Sequence, residues 1–146
     1  MTLRPALDRL EASLETPFIP GELETWFDAV ASAVADLGPI LHGQITLQHG
    51  AQFEQIVQES PALQRSVEHL EREDGEVAAA YASLNAQVAK LAAKAATVEP
   101  DEALMSQEAA RFADEGVWFV VRVRKQDAAI RTWLGEALNR ETPAGD

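Results

Sequence analysis

The stretch "LQRSVEHLEREDGEVAAAYASLNAQVAKL", residues 63–91, decides the fold. Counted from Leu63 in alternating steps of four and three, its positions are Leu63, Val67, Leu70, Asp74, Val77, Tyr81, Leu84, Val88 and Leu91. Apolar residues at that spacing line one face of an α-helix, whereas a half-buried strand would alternate in twos. Asp74 alone breaks the pattern. An ionised carboxylate among apolar neighbours is very costly unless it is paired, protonated or bound to a metal. The stretch therefore predicts a core helix that carries one polar residue in need of a reason.

Working outward, Ser60 and Pro61 read as N-cap and first helical residue, so this helix is expected over residues 61–96. Ahead of it "AQFEQIVQE" is a connector with room for a short helix. A helix over 22–49 carries Leu23, Phe27, Val30, Val34, Leu37 and Leu41. Gly38 and Pro39 interrupt it, yet the stripe keeps phase across them, which favours one bent helix over two. The first helix, 3–15, places Leu3, Leu7, Leu10 and Leu14 on one stripe, with Thr2 as N-cap and Pro5 in the first turn. After "TVEP" the last helix, 101–139, carries Met105, Ala109, Phe112, Gly116, Phe119, Val123, Gln126, Ile130, Trp133 and Ala137. Within it "VWFVVRV" would also suit a strand, but the heptad phase on both sides keeps it helical. The expectation is an all-α antiparallel four-helix bundle with a short first helix, a single domain over 1–146 and a fraying tail at 140–146.

Composition narrows the function. The 146 residues contain no cysteine, which removes disulfides, thiol catalysis and thiolate metal sites, so any metal must be held by His, Asp or Glu. With 24 acidic against 12 basic residues the net charge is −12, a field that repels nucleic acid and anionic lipid. The one basic cluster, Arg122, Arg124 and Lys125, is short and reads as helix-surface charge. The charged N-terminus lacks the apolar core of a signal peptide, and no run approaches the roughly 20 apolar residues of a membrane span. A cytoplasmic protein with no membrane and no nucleic-acid partner is expected.

Two seam positions are polar in mid-helix, Asp74 and Gln126. Asp74 lies 13 residues after Pro61 and Gln126 lies 13 before Asn139. In antiparallel neighbours both sit roughly 20 Å from the shared end, so they can meet at one level. His42, beside Leu41, reaches that depth if the second helix continues past His49. Three readings stay open for Asp74: an acceptor for His42 or Gln126 that fixes register, a carboxylate in a wet cleft, or part of a cation site. His49 lies roughly 10 Å along the helix from His42, too far for both to grip one metal ion. His69, among Glu68, Glu71, Glu73 and Glu76, reads as a solvated face. Ser32, Ser60, Ser66, Ser83 and Ser106 stand in no nucleophile motif, and no Gly-rich phosphate loop is present.

The run "LGPILHGQITLQHGAQFEQIVQESPALQRSVEHL" and the final "GEALN" helix end with its Gly-Asp tail carry a resemblance. The chain resembles bacterial hemerythrin-like, cation-binding four-helix bundles over most of its length. The resemblance implies a pair of irons held by histidines and bridging carboxylates. His42 matches the second-helix histidine, but the carboxylate expected four or five residues on is Thr46 or Leu47. The third-helix histidine falls at Asp74, and the fourth-helix His-x-x-x-Glu falls at Gln126 and Ile130. The first helix supplies no histidine. With Leu47 and Ile130 at the carboxylate positions, the expected cofactor is none, and a di-iron centre is not expected. His42, Asp74 and Gln126 remain the candidate ligands of a single weakly bound divalent cation.

The sequence thus points to a non-catalytic bundle with a degenerate metal site, acting as a metal-free interaction or regulatory module with a protein partner or a second copy of itself. Exposed aromatics such as Trp26 and Trp118 are the candidate contact residues. The alternative is a cation- or small-ligand-binding bundle that uses the interior cluster.

Overall fold

A computed structural model of the chain describes residues 1–141. Its α-helices are α1 (Leu3–Glu15), α2 (Leu23–Gly43), α3 (His49–Glu59), α4 (Gln64–Ala95) and α5 (Glu102–Glu141). One π-turn, Gln44–Gln48, joins α2 to α3 without a break, and a 3-10 turn, Pro61–Leu63, opens α4. The chain therefore forms four rods: α1, α2 with α3, α4, and α5. No strand is present among the described residues, and "VWFVVRV" lies inside α5. No described helix is long and apolar enough to cross a membrane. The tail expected to fray falls outside the described residues from 142 onward, while the helix itself runs to Glu141.

Each rod forms because its apolar stripe is buried. On α1 these are Leu3, Ala6, Leu7, Leu10 and Leu14, each near or below 5 % exposure. Thr2 holds the N-cap position with extended backbone, but its hydroxyl makes no capping bond. Asp101 does cap α5, its Oδ1 accepting the Leu104 N–H at 3.1 Å. The α1–α2 turn uses Gly21 at φ 88°, the left-handed region that a Cβ disfavours. It is closed by the Trp26 indole N–H, which donates to the Thr16 carbonyl at 2.8 Å. Trp26 also meets Phe18 and Phe27 edge to face. It is thus buried rather than the exposed contact residue expected from the sequence.

Pro39 sits inside α2 without ending it. A proline there withholds one N–H from the helix ladder. The Tyr81 hydroxyl from α4 donates at 2.7 Å to the Val34 carbonyl, five residues before Pro39. A Cβ on Gly38 would fall 2.5 Å from that hydroxyl oxygen, so the glycine admits the contact. Burial pushes the Tyr81 phenol above its ordinary range.

Packing divides the interior in two. The larger cluster joins α1, α2, the C-terminal part of α4 and the first part of α5, around Phe27, Leu37, Val77 and Phe112. The smaller joins Phe53 and Ile56 of α3, Val67 and Leu70 of α4, and Ile130 of α5. No α1 residue belongs to the second cluster, because thirteen residues span only about 20 Å. Where α1 runs out, the rod formed by α2 and α3 changes partner: α2 packs on α4 and α1, α3 chiefly on α5. The π-turn is the place of that change.

Ion pairs line the outer seams. Arg124 of α5 reaches Asp8 at 2.7 Å and Glu11 at 2.5 Å on α1. Arg122 reaches Glu73 at 2.5 Å and also Glu76 on α4. The Arg122 guanidinium holds the Glu73 carboxyl below its ordinary value of 4.5, outweighing an upward push from burial. Because the folded-state value is the lower one, the pair stabilises the fold above the unfolded value, and this contribution is lost as pH falls through the folded value. Urea midpoints of the parent and Arg122→Gln should therefore differ at neutral pH and draw together as pH falls below 4.5. Parallel curves over that fall in pH would rule out the coupling.

Candidate functional site

Between the two apolar clusters lies one polar layer. Asp74 falls on α4 between Leu70 of the small cluster and Val77 of the large one. Gln126 falls on α5 between Val123 and Ile130 in the same way. His49 opens α3 one turn before Phe53. These side chains are buried, with residue exposures of 5 % for His49, 8 % for Asp74 and 5 % for Gln126.

Their hydrogen bonds converge on Asp74. The His49 Nδ1–H donates to Asp74 Oδ1 at 2.8 Å and Oδ2 at 3.0 Å. The Gln126 amide donates to Asp74 Oδ1 at 2.5 Å and lies 3.4 Å from the Leu70 carbonyl. Holding the proton on Nδ1 fixes the orientation of the imidazole. The His49 ring lies against Phe53 with centroids 5.4 Å apart. A buried carboxylate is thus matched by donors from two other rods, as its desolvation demands.

Asp74 and Gln126 meet as the sequence predicts, and His42 does not join them. His42 is exposed and lines a cavity of about 320 Å³ with Gly38, Leu41, Ile45, Thr46 and Tyr81. The reason is the π-turn. The His49 N–H bonds to the Gln44 carbonyl, five residues back rather than four. One surplus residue is thereby absorbed, and the buried face passes from Leu41 through the half-buried Ile45 to His49, Phe53 and Ile56. The Thr46 hydroxyl donates to the His42 carbonyl at 2.7 Å within the turn. Leu47, expected where a carboxylate would sit, is 79 % exposed, while Ile130 is buried in the small cluster. The short helix allowed for in "AQFEQIVQE" is present as α3, continuous with α2 rather than separate from it.

The donor set decides what the layer can hold. It offers one imidazole, one carboxylate and one amide, and both carboxylate oxygens already accept hydrogen bonds. Among the described residues no three His, Asp or Glu side chains converge as a cation would require. This set does not fit a two-iron centre, which needs several imidazoles and bridging carboxylates. Glu73, the nearest further carboxylate along α4, is turned to Arg122.

Elsewhere, a groove of about 500 Å³ runs along α5 beside Ala80 of α4. Trp118 stands on it at 72 % exposure. Of the basic cluster read from the sequence, Arg122 and Arg124 are committed to carboxylates and Lys125 is in no ion pair among the described residues. Comparison of the chain with protein-family models, with curated proteins and with solved structures gives no match.

Proposed function

We propose that the chain is a non-catalytic interaction module built on a hemerythrin-like antiparallel bundle, with a metal-free polar layer where the resemblance puts metal ligands. The observation that carries this reading is the pairing of Asp74, which accepts from His49 and Gln126 inside a buried layer. Metal would have to displace these bonds and would find a single imidazole and a single carboxylate in exchange. The layer instead ties three rods at one level, the use best attested for polar groups buried in helical seams. Function then falls to the surface, where the Trp118 groove is an open apolar feature of about 500 Å³.

Protein produced with iron in the medium is expected to carry no stoichiometric iron on elemental analysis and no oxo-bridged di-iron absorption. Added manganese, zinc or ferrous ion should leave the melting temperature unchanged, since a ligand that binds only the folded state would raise it. A saturable rise in melting temperature with one of these ions, lost in Asp74→Asn, would overturn the reading in favour of a cation-binding bundle.

A further inference from the structure

The groove at Trp118 has a charge pattern that complements itself. Its apolar walls are Trp118, Phe119 and Val121 of α5 with Ala80 of α4, and its ends carry Glu115 and Lys125. Those two charges lie ten residues apart on one helix, or about 15 Å. Neither forms an ion pair among the described residues, in a chain where Arg122 and Arg124 are both committed. A twofold axis crossing α5 at the level of Val120 brings position 115 of one copy opposite position 125 of the other. The same operation brings position 118 opposite position 122.

We propose that this groove is the contact surface of a twofold homodimer. Trp118 of each copy seats in the groove of the other, and Glu115 of each pairs with Lys125 of the other. An isologous interface requires one patch to be complementary to itself under a twofold rotation. An apolar centre with opposite charges at its two ends meets that requirement. A second identical chain offers each of these charges its opposite. A groove of about 500 Å³ has room for an indole. An exposed tryptophan beside its own cavity is the kind of residue that dominates association energy once buried. The net charge of −12 opposes association at long range, but at physiological salt that field decays over about 8 Å, leaving the local pairs to act. The proposal rests on the reading of the chain as an interaction module and is independent of whether the polar layer binds metal.

Sedimentation velocity on the full chain across the micromolar range tests it. The parent is expected to show a concentration-dependent monomer–dimer equilibrium. Trp118→Ser should raise the dimer dissociation constant by about 30-fold or more, as for a central contact residue. Lys125→Glu and Glu115→Lys should each be monomeric, through like charges facing across the axis. An equimolar mixture of the two reversal variants should form a heterodimer, because every facing pair is again of opposite sign. All three substitutions are on the surface, and unchanged helical circular dichroism confirms that the variants are folded. A parent that stays monomeric throughout, a Trp118→Ser protein that dimerises like the parent, or reversal variants that fail to rescue each other would each overturn the homodimer. None of these results touches the metal measurement.

Discussion

Asp74→Ala is expected to lower the unfolding free energy by about 3 kcal/mol, seen as a fall of roughly 10 °C in melting temperature for a domain of this size. The magnitude follows from what the substitution leaves behind. His49 and Gln126 are each 5 % exposed, so their N–H groups cannot turn to water when the carboxylate is removed. Each buried donor left unsatisfied costs about 1–3 kcal/mol. Asp74→Asn should lose less, because Asp74 Oδ1 accepts from both His49 and Gln126 and an amide oxygen can stand in its place. Asp74→Leu alone should not rescue stability, since it strands the same donors. The triple variant His49→Leu/Asp74→Leu/Gln126→Leu should regain most of the loss or exceed the parent, because it removes donors and acceptor together and joins the two apolar clusters. Denaturant midpoints for the four proteins check this. A cost below about 0.5 kcal/mol for Asp74→Ala, the range of ordinary surface substitutions, would show that the layer does not hold the rods.

The sequence carries this layer unevenly, and the reason is local geometry. Asp74 and Gln126 are legible because α4 and α5 are long and regular, so counting by heptads from the shared end keeps phase over their whole length. The same regularity makes "VWFVVRV" readable as helix despite its branched residues. His49 is not legible by that count, because Leu41 and His49 stand eight residues apart where a regular stripe has seven. A forward count from Leu41 selects Gln48 and leaves Phe53 and Ile56 off the face. A backward count from Ile56 through Phe53 arrives at His49. The disagreement between the two counts is the sequence signal of the π-turn, and it lies in "HGQITLQHG". Trp26 is buried for a different reason. It is three residues after Leu23 and four before Val30, so it belongs to the wide apolar arc of a helix touched on two sides, not to its outer face. The surface groove has no periodic signature, since Trp118 and Lys125 become neighbours of Ala80 only through tertiary packing.

Deleting Leu47 should leave the fold intact and its stability within about 1 kcal/mol of the parent, although the deletion falls inside a continuous helical rod. Removing one residue from a regular α-helix turns everything beyond it by about 100°, which carries a buried face out of the core. The Gln44–Gln48 turn already holds one residue more than a regular helix would, as the five-residue bond from His49 to Gln44 records. With Leu47 gone, His49, Phe53 and Ile56 fall seven, eleven and fourteen residues after Leu41, the positions a regular helix places on one face. Leu47 itself is 79 % exposed, so little packing leaves with it. Thr46 and its bond to the His42 carbonyl are retained. Deleting Ala79, an exposed residue of α4, has no surplus turn to absorb it. Either Val67, Leu70 and Asp74 or Leu84 and Val88 must then leave the core. At about 1.5–3 kcal/mol for each fully buried aliphatic side chain, that loss is on the order of the stability of a whole domain. The Ala79 deletion should accordingly yield an unfolded or aggregating chain, while the Leu47 deletion melts cooperatively near the parent temperature and keeps its sensitivity to Asp74→Ala. Equal damage from both deletions would mean that the turn is not the element that sets the phase of α3 and brings His49 to Asp74.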